Sequence, residues 1–237
     1  MNDTPELPFR LEDTLFINAA FPMPTSNARK LLPTPARVHL VEGFPGQALL
    51  IVAFALYRRC AVGAYAEGTL ALLATHERAV PIITLSQLLK ERRYPAYVLH
   101  MLVNNADAQQ LGASVWQLPR QMAEVHVVEQ DGRATCEALV AGRSVVQLVA
   151  KRPDTNRTCA MQIETYVQDN QGLIHTVMQC KADAYGRTQG GGGTLRWGTH
   201  PIGQRLANLG VKAQPLMVRY YDHMLAELHA PQRRPLA

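Results

Sequence analysis

A chain of 237 residues, 47% hydrophobic and 18% charged, has ordinary globular composition and enough length for a sizeable core. Its net charge of +5 at pH 7 is spread over separated pairs (Arg58-Arg59, Arg92-Arg93, Arg233-Arg234), with no basic tract interleaved with aromatics, so no nucleic-acid partner is expected. The four cysteines, Cys60, Cys136, Cys159 and Cys180, lack CxxC or framework spacing, and the eight histidines lack ligand spacing with them, which argues against a disulfide scaffold and a metal site.

In chain order, residues 1–12 are polar and acidic without an apolar signal region, and read as a loose N-terminal arm. Leu15–Phe21 is a short apolar run. Prolines 22, 24, 33 and 35 bracket Thr25–Leu32, a predicted helix capped by Ser26 or Asn27 and stopped by Pro33. Val38–Val41 predicts a strand, Gly43-Phe44-Pro45-Gly46 a turn, and Ala48–Tyr57 a strand covered on both faces. The apolar run Ala48–Leu56 is too short to cross a bilayer, so no membrane association is expected and a cytoplasmic location is. Gly63–Glu67 opens a strand that continues through Leu70–Ala74, and Val80–Leu89 begins extended and finishes as a helix. Tyr97–Val103 predicts a strand and Asn105–Leu111 a short helix, with Asn105 as cap and Gly112 as stop.

Three strands follow, Met122–Glu129, Ala134–Val140 and Ser144–Ala150, with turns at Asp131-Gly132 and Gly142-Arg143. After a polar loop at Pro153–Arg157, Met161–Val167 and Leu173–Ala182 form a hairpin. That loop holds Asn156-Arg157-Thr158, a glycosylation sequon in form alone, since no secretory context accompanies it. Gly190–Gly193 lacks the following Lys-Ser/Thr of a phosphate loop and reads as a flexible connection. Pro201–Leu209 predicts a helix, Pro215–Leu228 is amphipathic but ambiguous between strand and helix, and residues 230–237 read as a loose tail. No linker or repeat divides the chain, so residues 1–237 form a single domain. Many strands and few helices predict a mainly β (α+β) protein, one large antiparallel barrel or sandwich.

The most informative stretch is Leu111–Val127. Pro119 has a fixed φ and holds the residue before it extended, so Arg120 is presented at a defined point. In the frame Gly112-Ala113-Ser114 … Pro119-Arg120-Gln121, the stretch resembles the core motif of the acetoacetate decarboxylase superfamily. There Gly-Arg-Glu leads through a short spacer to Pro-Lys-Lys, and the first lysine forms a Schiff base with the substrate. Further matches fall in the same order: Leu32-Pro33-Thr34-Pro35 resembles the family's early Leu/Val-Pro-x-Pro turn. Gly63-Ala64-Tyr65-Ala66-Glu67 resembles its Gly-x-Tyr-x-Glu strand, Tyr97–Asn105 the strand before the helix, and Thr194-Leu195-Arg196 through Pro201 and Leu206 its C-terminal region. The resemblance implies a large β-barrel or cone with a few peripheral helices and an enclosed, mostly apolar cavity.

The departures bear on chemistry. Arg120 and Gln121 stand where the family has its two lysines, and a guanidinium stays protonated and forms no imine. The family's early-strand carboxylate and arginine fall near Val52 and Thr14 and are absent, leaving Glu67 as the surviving acid–base group. The resemblance therefore implies a lyase-type enzyme without a Schiff base, acting on a small or medium organic acid or keto compound by proton transfer with elimination, hydration, cyclisation or carbon–carbon cleavage. The alternative is a non-catalytic binding or scaffold protein that kept the barrel. Glu67 and Arg120 are the candidate catalytic pair; Tyr65, His100, Met101, Trp116 and Gln121 are candidate substrate contacts. No cofactor is expected, and a homo-oligomer is. Lys151 and Lys181 are the lysines available for a relocated amine.

Overall fold

The computed structural model describes residues 5–154 and 157–235. The N-terminal half contains β1 (Phe9–Pro24), α1 (Thr25–Arg29), β2 (His39–Leu40), β3 (Glu42–Phe44), β4 (Gln47–Cys60), β5 (Tyr65–Thr75), α2 (Ile83–Glu91) and β6 (Arg93–Val103). Then come α3 (Ala106–Trp116), β7 (Arg120–Met122), β8 (Glu124–Gln130), β9 (Arg133–Val140) and β10 (Arg143–Lys151). The chain ends with β11 (Arg157–Gln168), β12 (Gly172–Gln189), β13 (Gly193–Trp197), α4 (Pro201–Ala207), β14 (Met217–Leu228) and β15 (Gln232–Pro235).

Seven strands close a barrel in the order β5-β4-β1-β14-β12-β11-β6, with β6 returning to β5. The neighbours are antiparallel apart from the β6–β11 seam, which is parallel, as is the short addition of β7 to β6. The expected antiparallel barrel is therefore present, with one parallel seam. A second sheet, β13-β10-β9-β8, lies against the barrel's outside. Its inward residues Cys136, Ala138, Val146 and Leu148 share one buried cluster with Val52, Phe54, Leu70 and Leu72 of the barrel. Their neighbours Ile51, Ala53, Thr69 and Ala71 point the other way, into the barrel. Strands sandwiched in this way have no polar face, which is why Ala48–Leu56 shows no alternation. The hairpins β8–β9 and β9–β10 turn on Asp131-Gly132 and Ala141-Gly142, all four with positive φ, as tight hairpins of twisted strands require.

Several local expectations are corrected. Residues 9–12 are not a loose arm: Phe9 pairs with Leu228 and Leu11 with Cys60, both within β1's ladders. In the tail, β15 pairs with β12. Residues 1–4, residues 236–237 and the sequon's Asn156 lie outside the described residues. Helix α1 starts at Thr25 with Pro24 in the cap position, so it has no side-chain cap; Ser26 and Asn27 lie inside it, and Asn27 donates to the Leu209 carbonyl. Asn105 does cap α3, accepting from the Ala108 amide at 2.8 Å, but the helix runs past Gly112 and ends at Gln117 in the left-handed region. The ambiguous Pro215–Leu228 segment resolves as strand β14, held between β1 and β12. Among the described residues no helix is long and apolar enough to cross a membrane.

On the barrel's outside, Glu164 is almost fully buried and accepts from Arg93 Nε (2.8 Å), Gln162 Nε2 (2.9 Å) and Tyr166 Oη (3.0 Å), with His175 Nε2 also at 3.0 Å. Burial works to raise its pKa, but the bonds from His175, Arg93 and Tyr166 outweigh burial and hold it at about 2, against an ordinary 4.5. A carboxyl depressed on folding contributes stability that is fully present above its unfolded value and is lost as pH falls through its folded value. Between pH 4.5 and 2 the wild-type chain should therefore lose on the order of 3 kcal/mol that Glu164→Gln never had. Denaturant melts at pH 6, 4, 3 and 2 read this directly; an equal pH slope in both proteins would refute it.

Candidate active site

Within the barrel lies a pocket of about 110 Å³ with predominantly apolar walls, among them Phe16, Ile51, Val98, Met101, Ile163 and Met178. The charged groups lining it are Glu67, Arg120 and Arg219. Glu67 sits mid-sheet, paired with Ala55 of β4 and Val103 of β6, so its strand cannot shift without breaking two ladders.

Arg120 arrives from the other direction. The Pro119 carbonyl accepts from the Met101 amide at 3.1 Å, and Arg120 starts β7 opposite Met101. Its side chain then crosses beneath α3 to the cavity wall, and Gly112 is the reason it fits. A Cβ at Gly112 would lie 2.3 Å from Arg120 Cδ and 2.6 Å from Nε. A glycine inside a helix costs about 1 kcal/mol relative to alanine, and here it provides the channel for a guanidinium. The sequence reading of Gly112 as a helix stop gives way to this role.

Arg120 Nη2 stands 3.0 Å from Glu67 Oε2, with both side chains about 95% buried (6% and 5% exposed). Nη1 donates to the Ala108 carbonyl at 2.6 Å, tying α3 to the site. Thr69 Oγ1 donates to Glu67 Oε1 at 3.3 Å. The pair is not saturated: Arg120 Nε and Glu67 Oε2 lack a well-aligned hydrogen bond within the protein. Burial pulls the Arg120 guanidinium down, but Glu67, followed by Tyr65 and Tyr57, outweighs burial and raises it above its ordinary value. Arg120 is therefore a permanent cation. Burial first, then Glu67, pushes the Tyr57 and Tyr65 phenols up, so both remain neutral donors. Their rings meet at 4.5 Å, and Tyr57 faces the cavity.

The remaining sequence candidates divide. Met101 lines the cavity. Tyr65 and Trp116 lie behind Arg120, around a separate void of about 10 Å³. Trp116 packs edge-on against Phe9 and donates Nε1–H to the His229 carbonyl at 2.8 Å, so it is core rather than cavity wall. His100 is off the cavity as well. Tyr94, Ala96 and Val98 point inward, and strict alternation would bring His100 with them. A bulge in β6 intervenes, since Leu70 pairs with His100 but Ala71 pairs with Val98. The extra residue turns Met101 inward and His100 outward, where burial lowers its pKa and Arg205 and His200 add to that effect. Gln121 alternates with Arg120 and is exposed. Lys151 and Lys181 are exposed, and among the described residues no lysine lines the cavity.

Arg219 was missed. On β14 it points into the barrel, while Val218 and Tyr220 point out into the inter-sheet core. The signal was the alternation of that segment, which is informative once the segment is known to be a strand.

The barrel is shared with solved proteins. Acetoacetate decarboxylase from Legionella pneumophila subsp. pneumophila str. Philadelphia 1 superposes with a TM-score of 0.70 at 13% identity, over 100% of this chain and 90% of that one. The enduracididine biosynthesis enzyme MppR, complexed with pyruvate, gives 0.66 at 15% identity over 98% and 92%. An acetoacetate decarboxylase-like enzyme from Sphingomonas wittichii RW1 gives 0.58 at 11% identity over 99% and 96%. At these identities the likeness establishes the fold. None of the curated proteins compared with the chain matches it. The family model described as acetoacetate decarboxylase (ADC) matches residues 2–230, nearly the whole sequence, and in agreement with the barrel the chain belongs to the acetoacetate decarboxylase family.

Proposed function

We propose that the cavity is the active site of an acetoacetate decarboxylase-like enzyme that moves a proton on a small organic acid or keto compound without forming an imine to lysine. The observation that carries this reading is the buried Glu67–Arg120 pair in the wall of an otherwise mostly apolar cavity, which no lysine among the described residues lines. A cavity of about 110 Å³ is somewhat smaller than the roughly 150 Å³ that accommodates benzene, so the fitting ligands have a handful of non-hydrogen atoms. MppR, which shares the fold, is complexed with pyruvate, a ligand of that size.

In this reading the Glu67 carboxylate takes a proton from the carbon beside a ligand carbonyl. The C–H electron pair becomes the C=C bond, the carbonyl π pair moves onto the oxygen, and the Arg120 guanidinium stabilises the enolate that forms. Elimination, hydration, cyclisation and carbon–carbon cleavage beside a carbonyl each have a route through an enolate, and the lyase class is proposed at that level. A second reading, a non-catalytic small-molecule-binding protein, draws support from the Arg120–Ala108 bond, which gives the arginine a structural task in addition.

Incubation with pyruvate or acetoacetate and borohydride should leave the intact mass of the protein unchanged, because an arginine occupies the amine position. A stable lysine adduct would sink the imine-free mechanism and point to a relocated amine.

A further inference from the structure

We propose that Arg219, rather than Arg120, anchors the carboxylate of the ligand, and that the cavity thereby selects a small monocarboxylate anion over its neutral amide. This rests on the reading of the cavity as the ligand site and adds the ligand's charge to it. Arg219 is 7% exposed and lines the cavity. Its guanidinium lies over the Tyr94 ring, 4.4 Å from the centroid, and Nη1 makes a long 3.4 Å bond to Asn18 Oδ1. Asn18 is its cross-strand partner in the β1–β14 ladder, so the amide and the guanidinium are set side by side by the sheet itself.

What Arg219 lacks is an anion. Arg58 has Asp13 and Asp222 at 2.9 Å, Arg93 has Glu164 at 2.8 Å, and Arg120 has Glu67 at 3.0 Å. Among the described residues no carboxylate lies within 4.0 Å of Arg219, and its other N–H groups have no protein acceptor. A guanidinium removed from water is unfavourable unless an anion and hydrogen bonds replace its hydration. The Tyr94 face supplies part of that replacement and the open fork remains.

Charge counting leads to the same ligand. Glu67 and Arg120 cancel, so Arg219 leaves the lining with one net positive charge. A monoanion completes the balance, a dianion overshoots it, and a neutral ligand leaves the arginine unpaired. The fork geometry suits a carboxylate, which it binds through two parallel hydrogen bonds. Arg120, already engaged by Glu67 and the Ala108 carbonyl, has less to offer a resting carboxylate and is left to the carbonyl end.

The test is calorimetric titration with acetate, propanoate and pyruvate, each against its own amide. Wild-type protein should bind the acids at least about tenfold more tightly than the amides, the scale of a charge-assisted contact. Arg219→Gln should weaken the acids about 10–100-fold, leave the amides unchanged and so erase the preference. The double variant Glu67→Gln/Arg120→Gln removes both charges of the pair, leaves the lining at one net positive charge, and should keep the preference. No acid binding or no preference in the wild type, a preference intact in Arg219→Gln, or one abolished in the double variant would each overturn the assignment. Should Arg219→Gln not fold, Arg219→Lys decides: a point charge in place of the fork should keep the preference but lose about tenfold in acid affinity, and unchanged affinity counts against the assignment. Because the titration needs no turnover, failure of the proton-transfer chemistry would leave the acid–amide preference standing, and the two failures are distinguishable.

Discussion

Glu67→Gln should slow exchange of the C3 protons of pyruvate with solvent deuterium by about 10²–10⁴-fold, the usual contribution of a positioned acid or base. Glutamine keeps the volume and the Thr69 contact but cannot accept the proton. The substitution also leaves Arg120 buried without its carboxylate, so some stability is lost under either reading of the pair. Exchange must therefore be followed by NMR and normalised to folded protein. A melting loss accompanied by unchanged exchange per folded molecule would end the acid–base role and leave Glu67 as a structural partner.

The other large effect is on stability. Arg120→Met should destabilise the fold by about 3–5 kcal/mol, because Glu67 then stays buried with no opposing charge and α3 loses its tie through the Ala108 carbonyl. The double variant Arg120→Met/Glu67→Leu should recover most of that loss, since a buried ion pair exchanged for packed apolar side chains is often neutral or better. The two single losses should accordingly be far from additive. Chemical denaturation of the three variants measures this. A cost below about 1 kcal/mol for Arg120→Met would show that the pair does not hold α3 against the barrel. A double variant that is stable but exchanges no protons would separate the two tasks of the pair, folding and chemistry, in one molecule.

Both experiments bear on a pair that sequence reasoning identified for reasons other than geometry. Glu67 and Arg120 were singled out because they occupy the positions of a family motif, and Arg120 because Pro119 stiffens its presentation. Their 3.0 Å contact depends on something the local sequence does not express: Gly112, one helix away, leaves space for the guanidinium to pass. A helix-stop reading of that glycine is natural because terminal glycines are common. A glycine that admits a distant side chain leaves no different local mark.

The same division holds across the chain. Strand content, the hairpin turn at Asp131-Gly132, the cap at Asn105 and the double-sided burial of Ala48–Leu56 are set by near-neighbour sterics, hydrogen-bonding chemistry and hydrophobic pattern, and these are written residue by residue, whereas the next turn falls at Ala141-Gly142, one residue before the expected Gly142-Arg143. Whether a side chain faces the cavity depends on register, and register is a property of pairs of strands. One bulge at Leu99 exchanged His100 for Met101 on the cavity wall, and Trp116, expected beside the ligand, went to the core against Phe9. Arg219 stayed hidden while its segment was ambiguous between helix and strand, since the two periods put different residues on one face. The sequence by itself determined a mainly β chain and the missing lysine, since both follow from residue type in order, and the resemblance to a family implied the barrel. The tertiary structure alone decided which charges meet inside, because closing seven strands brings β5, β7 and β14 around one cavity, and there Arg120 finds a carboxylate while Arg219, among the described residues, finds none.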